Sequence, residues 1–369
     1  MTNSDLFPVT LISANTYFAF TPLLASCAVG TLEYRTALES VRAFAPEAHT
    51  YLAWCDNINF QKKELTCTPS TSLSLHENKQ GGKEPSSLSD DRGNAIVGPK
   101  FVLNYDRLVI AVGAYAQTFG IPGVKENAQF LKDVRDARAI RTRILELFGE
   151  ANLPIMSDAE RRKLLHFCVV GGGPTGVEFA AELHDLLATD LTRAFPHLTP
   201  MARITLYDVA PQILGSFDQE LVKYATDRFR RNGITIKAEH HVERVNKGSM
   251  IVKEDGEVPF GLLVWSTGLA ANPLINSIKE LTKDGKTGSL LVNDRLNVIR
   301  DDGQVMEDIW AIGDAAVCEK ERLPATAQVA YQEAKYVAKQ LNAIAKGGQP
   351  SNAAFEFKNL GTLAYLGDW

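Results

Sequence analysis

Cysteine is scarce in this chain and shows no pairing pattern. Cys27, Cys55, Cys67, Cys168 and Cys318 are five, an odd number without CxxC spacing. A disulfide framework is not expected, and the pattern suits a reducing compartment. The seven histidines show no metal-ligand spacing; His240 and His241 are adjacent rather than four apart, so no metal site is expected. No segment reaches the ~18 consecutive apolar residues of a membrane span. Met1–Phe7 lacks the basic region and apolar run of a signal peptide. Positive charge is not in excess: the net charge is −5 over 369 residues, so nucleic acid is not an expected partner. There is no solenoid-type repeat.

What is present is an ordinary globular composition, 45% hydrophobic and 22% charged. At roughly 150 residues per domain it implies two or three domains. Short apolar runs read as strands at Phe7–Ile12, Tyr51–Thr68, Asn104–Gly113, His166–Val170, Arg203–Asp208, Ile234–Ala238, Leu262–Trp265 and Ile309–Ile312. Leu108–Val112 is expected to be buried on both faces. Helices are expected at Thr31–Phe44, Gln129–Phe148, Asp218–Asn232 and Pro324–Lys346, the last with its proline in the first turn. The arginines of Gln129–Phe148 read as a solvated face. Residues 69–100, crowded with Ser, Gly, Asp, Lys and Pro, read as an exposed loop within a hairpin. Alternation of strands and helices predicts an α/β fold with parallel sheets.

The strongest motif is Gly171-Gly172-Gly173-Pro174-Thr175-Gly176, a GxGxxG between a buried strand and a helix, with Ala180 four residues on. Gly171 permits a tight turn, Gly173 leaves room for a pyrophosphate, and Gly176 lets helix and strand pack closely. The helix start, with Thr175 in it, offers free N–H groups and the positive dipole end to phosphates. The ribose partner should be an acid at the end of the next strand, and Asp208 stands there. No Arg or Lys follows it closely, so NADH is expected over NADPH. The residue also fits a strand-end turn aspartate. Three strands end in a small residue and glycine, at Gly113, Gly268 and Gly313-Asp314, where backbone can approach a ligand.

Tyr17–Leu24, Gly171–Glu178, Ala311–Asp314, Pro324–Glu333 and Leu360–Gly367 together resemble type II NADH:quinone oxidoreductases, and more narrowly the mitochondrial alternative NADH dehydrogenases of fungi. These belong to the pyridine nucleotide-disulfide oxidoreductase-like flavoproteins. The resemblance implies two Rossmann-like nucleotide-binding domains, a split FAD domain with an NADH domain inserted, and FAD and NADH as cofactors. It places Gly171, Gly173, Thr175, Gly176 and Asp208 at NADH. It places Gly113 and Gly268 where the two domains meet, Gly313 and Asp314 at the flavin ribityl chain, and Thr21, Pro22 and Ala327 beside the flavin. Glu178 then faces the nicotinamide in a proton-moving role; the plain alternative is an acid stabilised in a first helical turn. Gln328 and Gln332, four apart on one helix face with Tyr331, border flavin and quinone by resemblance; from spacing alone they are a semi-exposed polar face. The helix start near Pro324 would turn its positive end to the flavin.

The implied map is residues 1–120 as the first part of the FAD domain, 121–275 as the NADH domain, 276–346 as the second FAD part and 347–369 as the start of a C-terminal region. The first GxGxxG of the family is missing, Ser13 stands where an acid for the FAD ribose is usual, and the amphipathic C-terminal helices are missing. The chain therefore reads as truncated at both ends, with the FAD domain incomplete at the N-terminus. No EF-hand loop is found. The expected activity is non-electrogenic hydride transfer from NADH to FAD, then electron transfer to ubiquinone. The expected place is the inner mitochondrial membrane surface, peripherally, and a homodimer is compatible with it. The alternatives are an NAD(H)-binding protein without turnover, and a flavoprotein with another acceptor, such as an apoptosis-inducing-factor-like or sulfide-oxidising enzyme. A disulfide reductase is rejected because Cys27 is alone in its region.

Overall fold

A computed structural model describes residues 7–71 and 99–367. Most of the loop expected at 69–100, and the first six residues, lie outside the described residues. The chain divides into two compact units. The first comprises residues 1–18, 39–115 and 270–360, the second 19–38, 116–269 and 361–369.

The second unit is built on a five-stranded parallel sheet. Its order is Thr235–Lys237, Arg203–Tyr207, His166–Val170, Leu262–Trp265, Gln129–Phe130. His166–Val170 is buried along its whole length, as a central strand covered on both faces must be. Helix Val134–Ala151 lays Ile140, Ile144, Leu147 and Phe148 into this core at zero exposure, and Pro174–Leu186 contributes Phe179 and Leu183. Burying such side chains stabilises by roughly 1.5–3 kcal/mol each. A separate three-stranded antiparallel sheet, Val242–Asn246, Ser249–Val252 and Gly256–Pro259, completes the unit.

Two expected helices differ here. The expected Gln129–Phe148 helix begins later. Gln129–Phe130 is a strand, and Asp133 caps the helix in a reciprocal capping box with Asp136, which satisfies two free N–H groups at the helix start. The expected Thr31–Phe44 helix does not form. Its place is taken by a short turn of 3-10 helix at Tyr34–Ala37, a strand at Leu38–Ser40 and one helical turn at Val41–Phe44. Ser40 caps that turn, its Oγ accepting from Ala43 N at 3.4 Å, and Pro46 follows, so helix restarts there and does not run through. The true helix lies earlier, at Leu24–Val29, closed by Gly30 at φ +88°. Residues 19–38, expected with the FAD domain, belong to the second unit. Buried Glu182 explains the bond: it accepts from Ser26 Oγ at 2.5 Å and Thr31 Oγ1 at 2.7 Å. Of the arginines expected to be solvated, Arg141 instead lies over the Tyr34 ring, 5.9 Å from its centroid.

The first unit holds two sheets. One runs Thr10–Ser13, His49–Asn59, Glu64–Pro69, Phe101–Asn104, its first pair parallel and the rest antiparallel. The other runs Ala316–Cys318, Leu290–Val292, Asn297–Ile299, Val305–Ala311, Leu108–Ile110. Ile110, Leu290, Val292, Ile309, Trp310 and Val337 share one core. The strand expected to be buried on both faces, Leu108–Val112, is not. Only Ile110 is fully buried, while Val109 is 36% and Val112 37% exposed, because among the described residues Leu108–Ile110 is an edge strand paired only with Val305–Ala311. The final helix runs Ala327–Ala345. It starts at Thr326, whose Oγ1 accepts from Val329 N at 3.3 Å, so Pro324 precedes the helix and does not sit in its first turn. A threonine hydroxyl is a strong cap, and it fixes the start there.

Candidate functional site

In the second unit the Gly171–Gly176 turn leaves the central strand, and Asp208 leaves its parallel neighbour. Both lie at carboxyl ends of parallel strands, where open α/β sheets bind ligands. Each glycine has its own cause. Gly171 adopts φ +116°, and a Cβ there would meet the Ser266 carbonyl oxygen at 2.5 Å. At Gly176 a Cβ would overlap the Gly171 carbonyl, so helix and turn touch backbone to backbone. Gly173, the cap of helix Pro174–Leu186, has nothing within 4 Å of where a Cβ would lie. It borders open space at the positive end of a 13-residue helix, with Thr175 exposed in the first turn. That cradle suits a pyrophosphate.

Asp208 is held by backbone donors. Its Oδ1 accepts from Ala210 N at 2.7 Å and its Oδ2 from Gly172 N. Gly172, an unassigned position of the motif, is therefore a site residue that spacing alone missed; a Cβ there would press on the Asp208 carboxylate at 2.8 Å.

Glu178 is half-buried and is the fifth residue of its helix, beyond the first turn. Burial raises its pKa, the Tyr365 N–H donating at 3.3 Å lowers it, and Glu182 raises it. Tyr365 also donates through its hydroxyl to Asp185 Oδ2 at 2.8 Å. Thr21 and Pro22 are exposed at the start of a 3-10 turn leading into Leu24–Val29. Gly268 borders open space. Its carbonyl accepts from Gln117 N at 2.7 Å, and Gln117 O accepts from Thr267 Oγ1 at 2.6 Å and Trp265 Nε1 at 2.9 Å.

In the first unit, Gly113 and Gly313 follow the carboxyl ends of adjacent parallel strands, in register through Ile110 and Ala311. Both have positive φ, +66° and +63°. A Cβ at Gly113 would meet nothing within 4 Å. Gly313 N donates to Glu333 Oε2 at 2.6 Å. Asp314 follows, its carbonyl accepting from Ser289 Oγ at 3.3 Å. Ala327 is exposed as the first helical residue.

Gln328 and Gln332 do share a helix face, and the structure binds that face to an extended segment. Gln332 Oε1 accepts from Lys358 N at 3.0 Å and its Nε2 donates to Lys358 O at 2.8 Å, while Gln328 Oε1 accepts from Leu360 N at 2.9 Å. Tyr331 stays 62% exposed.

Glu333 was missed from sequence. It is 7% exposed, and burial first, then Asp314, pushes its pKa up to about 7 against the Gly313 hydrogen bond. The signal was available: Val329, Glu333 and Val337 recur every four residues and all three are buried, so an acid stands on an apolar stripe. Among the described residues, no group of three or more His, Cys, Asp or Glu could hold a metal, and no helix is long and apolar enough to cross a membrane.

Two units with ligand turns at the carboxyl ends of parallel strands, one carrying a GxGxxG loop, define a dinucleotide-dependent oxidoreductase fold. The chain belongs to the pyridine nucleotide-disulphide oxidoreductase family, which matches residues 3–334. It is 38% identical to a Dictyostelium discoideum protein named as an NADH dehydrogenase, over 99% of this chain and 75% of that one. It is 35% identical to an internal alternative NAD(P)H-ubiquinone oxidoreductase of potato mitochondria, over 99% of this chain and 72% of that one. The external B2 enzyme of Arabidopsis thaliana is 38% identical, and the chain spans about half, 52%, of its length. Among solved structures, NDH2 from Plasmodium falciparum in complex with NADH superposes with a TM-score of 0.85 at 26% identity, covering all of this chain and 85% of that one.

Proposed function

We propose that this chain oxidises NADH and passes the electrons by way of FAD to ubiquinone, without moving charge across a membrane. The observation that carries the reading is the glycine loop with Asp208 locked to its Gly172 N–H, a dinucleotide cradle with its ribose acceptor already in place. The relatives support the rest, since those named above are NADH dehydrogenases or NAD(P)H-ubiquinone oxidoreductases. The Gly113 and Gly313 turns fit the flavin end of FAD: adjacent strand ends, positive φ at both, and open space where a Cβ of Gly113 would otherwise stand. FAD held there would supply the hydride-accepting and electron-transferring chemistry.

The chain's own residues bind, orient and hold protons. Gly173 and the Pro174–Leu186 helix start receive the pyrophosphate. Asp208 accepts from the ribose hydroxyls and repels a 2′-phosphate, which sets NADH above NADPH. Glu178, with its pKa raised by burial, holds its proton more tightly than a solvated glutamate. Asp314 and the Gly313 turn take the flavin side chain, with Glu333 bracing that turn from the helix. Thr21, Pro22, Gly268 and Ala327 are assigned to the nucleotides on the same reading, and Gln328 and Gln332 hold the 358–360 segment to their own helix. The setting is the surface of the inner mitochondrial membrane, in keeping with the mitochondrial relatives.

Ser13 favours one second reading. It ends the Thr10–Ser13 strand, where its Oγ accepts from Asn15 N at 3.2 Å, and no carboxylate is supplied there for an FAD ribose. On that reading the chain binds NAD(H) without flavin turnover. Visible absorption of the purified chain separates the two. A flavin band that bleaches with anaerobic NADH and returns with a soluble quinone is the expected result. NADH binding without a flavin band overturns it in favour of the second reading.

A further inference from the structure

In the first unit, a pair of cysteines stands on directly opposed strand positions. Cys55 on strand His49–Asn59 is the direct cross-strand partner of Cys67 on the antiparallel strand Glu64–Pro69. Twelve residues separate them in sequence, so no CxxC spacing announces the pair. The thiols are free, and the register sets both side chains on one face of the sheet. Directly opposed residues of an antiparallel pair have Cα atoms about 4.5–5.5 Å apart, inside the roughly 4.4–6.8 Å that a disulfide spans. Cys67 is fully buried and Cys55 is half-buried against the same core.

We infer that Cys55 and Cys67 form a reversible oxidation site, in which a hydroperoxide converts the two thiols into a cross-strand disulfide. The chemistry balances in two steps. One sulfur of the pair takes one oxygen from the hydroperoxide, giving a sulfenic acid and releasing the alcohol, or water from hydrogen peroxide. The other sulfur then attacks it; the S–S bond forms, the S–OH bond breaks, and hydroxide leaves with the second thiol's proton as water. The contact between the sulfurs lowers the pKa of Cys67 and, with burial, raises that of Cys55. The first proton therefore leaves the pair more readily than the second. This site is independent of the proposed dehydrogenase activity.

The test is thiol counting and peptide mapping of the intact chain after hydrogen peroxide. Five thiols titrate in the reduced, denatured protein. Oxidation is expected to remove two of them, with a linked peptide pair joining Cys55 to Cys67, both restored by dithiothreitol. In Cys67→Ala the Cys55 sulfenic acid should persist and be captured by dimedone, and Cys55→Ser should leave the remaining thiols titratable. Loss of thiols with no Cys55–Cys67 link, or a link between other cysteines, overturns the proposal, as does full retention of five thiols.

Discussion

The backbone N–H of Gly172 donates to the carboxylate of Asp208, across two adjacent parallel strands. The glycine loop and the acid proposed to hold the ribose are thus joined to each other. With Ala210 N also donating at 2.7 Å, the carboxylate cannot swing away, and binding need not order it. Asp208→Ala removes charge-assisted bonds to ribose and frees the Gly172 end of the loop. NADH affinity should fall by about 1–3 kcal/mol, and preference against NADPH should fall with it. Titration by intrinsic fluorescence checks both; an unchanged NADH dissociation constant would sink the assignment.

The glycines of the loop should fail in different ways. Gly173 borders open space in the free protein, so Gly173→Val should fold yet lose NADH binding, the side chain standing where the pyrophosphate must lie. Gly176→Ala meets the Gly171 carbonyl instead, and backbone cannot move aside as a side-chain tip can. That variant should lose about 1–3 kcal/mol of stability, the range for overpacking. Urea unfolding and NADH titration on both proteins give the comparison. Equal stability losses would show that the two glycines answer the same constraint.

The contrast also says what the sequence makes legible. The βα turn at Gly171–Gly176 could be read because its cause is local: strand, glycines and helix are consecutive. The place of Asp208 could be read because the strand before it, Arg203–Tyr207, is a consecutive, largely apolar run. The Gly172–Asp208 bond joins residues 36 apart, and the Cys55–Cys67 pairing depends on strand register, so neither leaves a mark in spacing. The expected Thr31–Phe44 helix failed for a related reason. Its helix-forming residues are overruled by the Ser40 cap and by the fixing of Ser26 and Thr31 to Glu182, more than 150 residues away. The expectation of two buried faces for Leu108–Val112 took an apolar run as evidence for cover, and composition does not say whether a strand is central or at an edge.

Glu333 makes stability depend on pH. Its carboxyl has an ordinary pKa of 4.5, raised in the fold to about 7, by burial first and by Asp314 second. A raised folded value means that the folded protein binds this proton more tightly than the unfolded chain. The contribution is therefore complete below the unfolded value and is lost as pH rises through the folded one. Between pH 5 and pH 8 the wild-type chain should lose up to about 3 kcal/mol from this group. Glu333→Gln cannot ionise, and its amide oxygen can still accept from Gly313 N. The difference in urea midpoint between pH 5 and pH 8 should shrink in the variant. Because other carboxyls titrate alike in both proteins, the difference between them isolates Glu333. An identical pH dependence would show that the carboxyl is not perturbed in the fold.

Gln332 acts on its own unit as a paired strand would, giving Lys358 both a donor and an acceptor, and Gln328 adds a bond to Leu360 N one turn earlier along the helix. The segment has no other regular structure: residues 351–367 carry neither helix nor strand. Side-chain amides tie Lys358 and Leu360 to the Ala327–Ala345 helix. Each such bond contributes about 0.5–1.5 kcal/mol. Gln332→Ala removes both bonds to Lys358 and should raise the hydrogen-exchange rate of the Lys358 amide by roughly 5- to 100-fold, taking those two contributions together, while amides within the helix keep their protection. Gln328→Ala should do the same at Leu360, by the smaller factor of a single bond. If the Lys358 amide exchanges at the same rate in Gln332→Ala as in the wild type, the segment is held by apolar contact and the glutamines are bystanders. If helix and segment lose protection together, the two form one cooperative unit and the glutamines are part of its core.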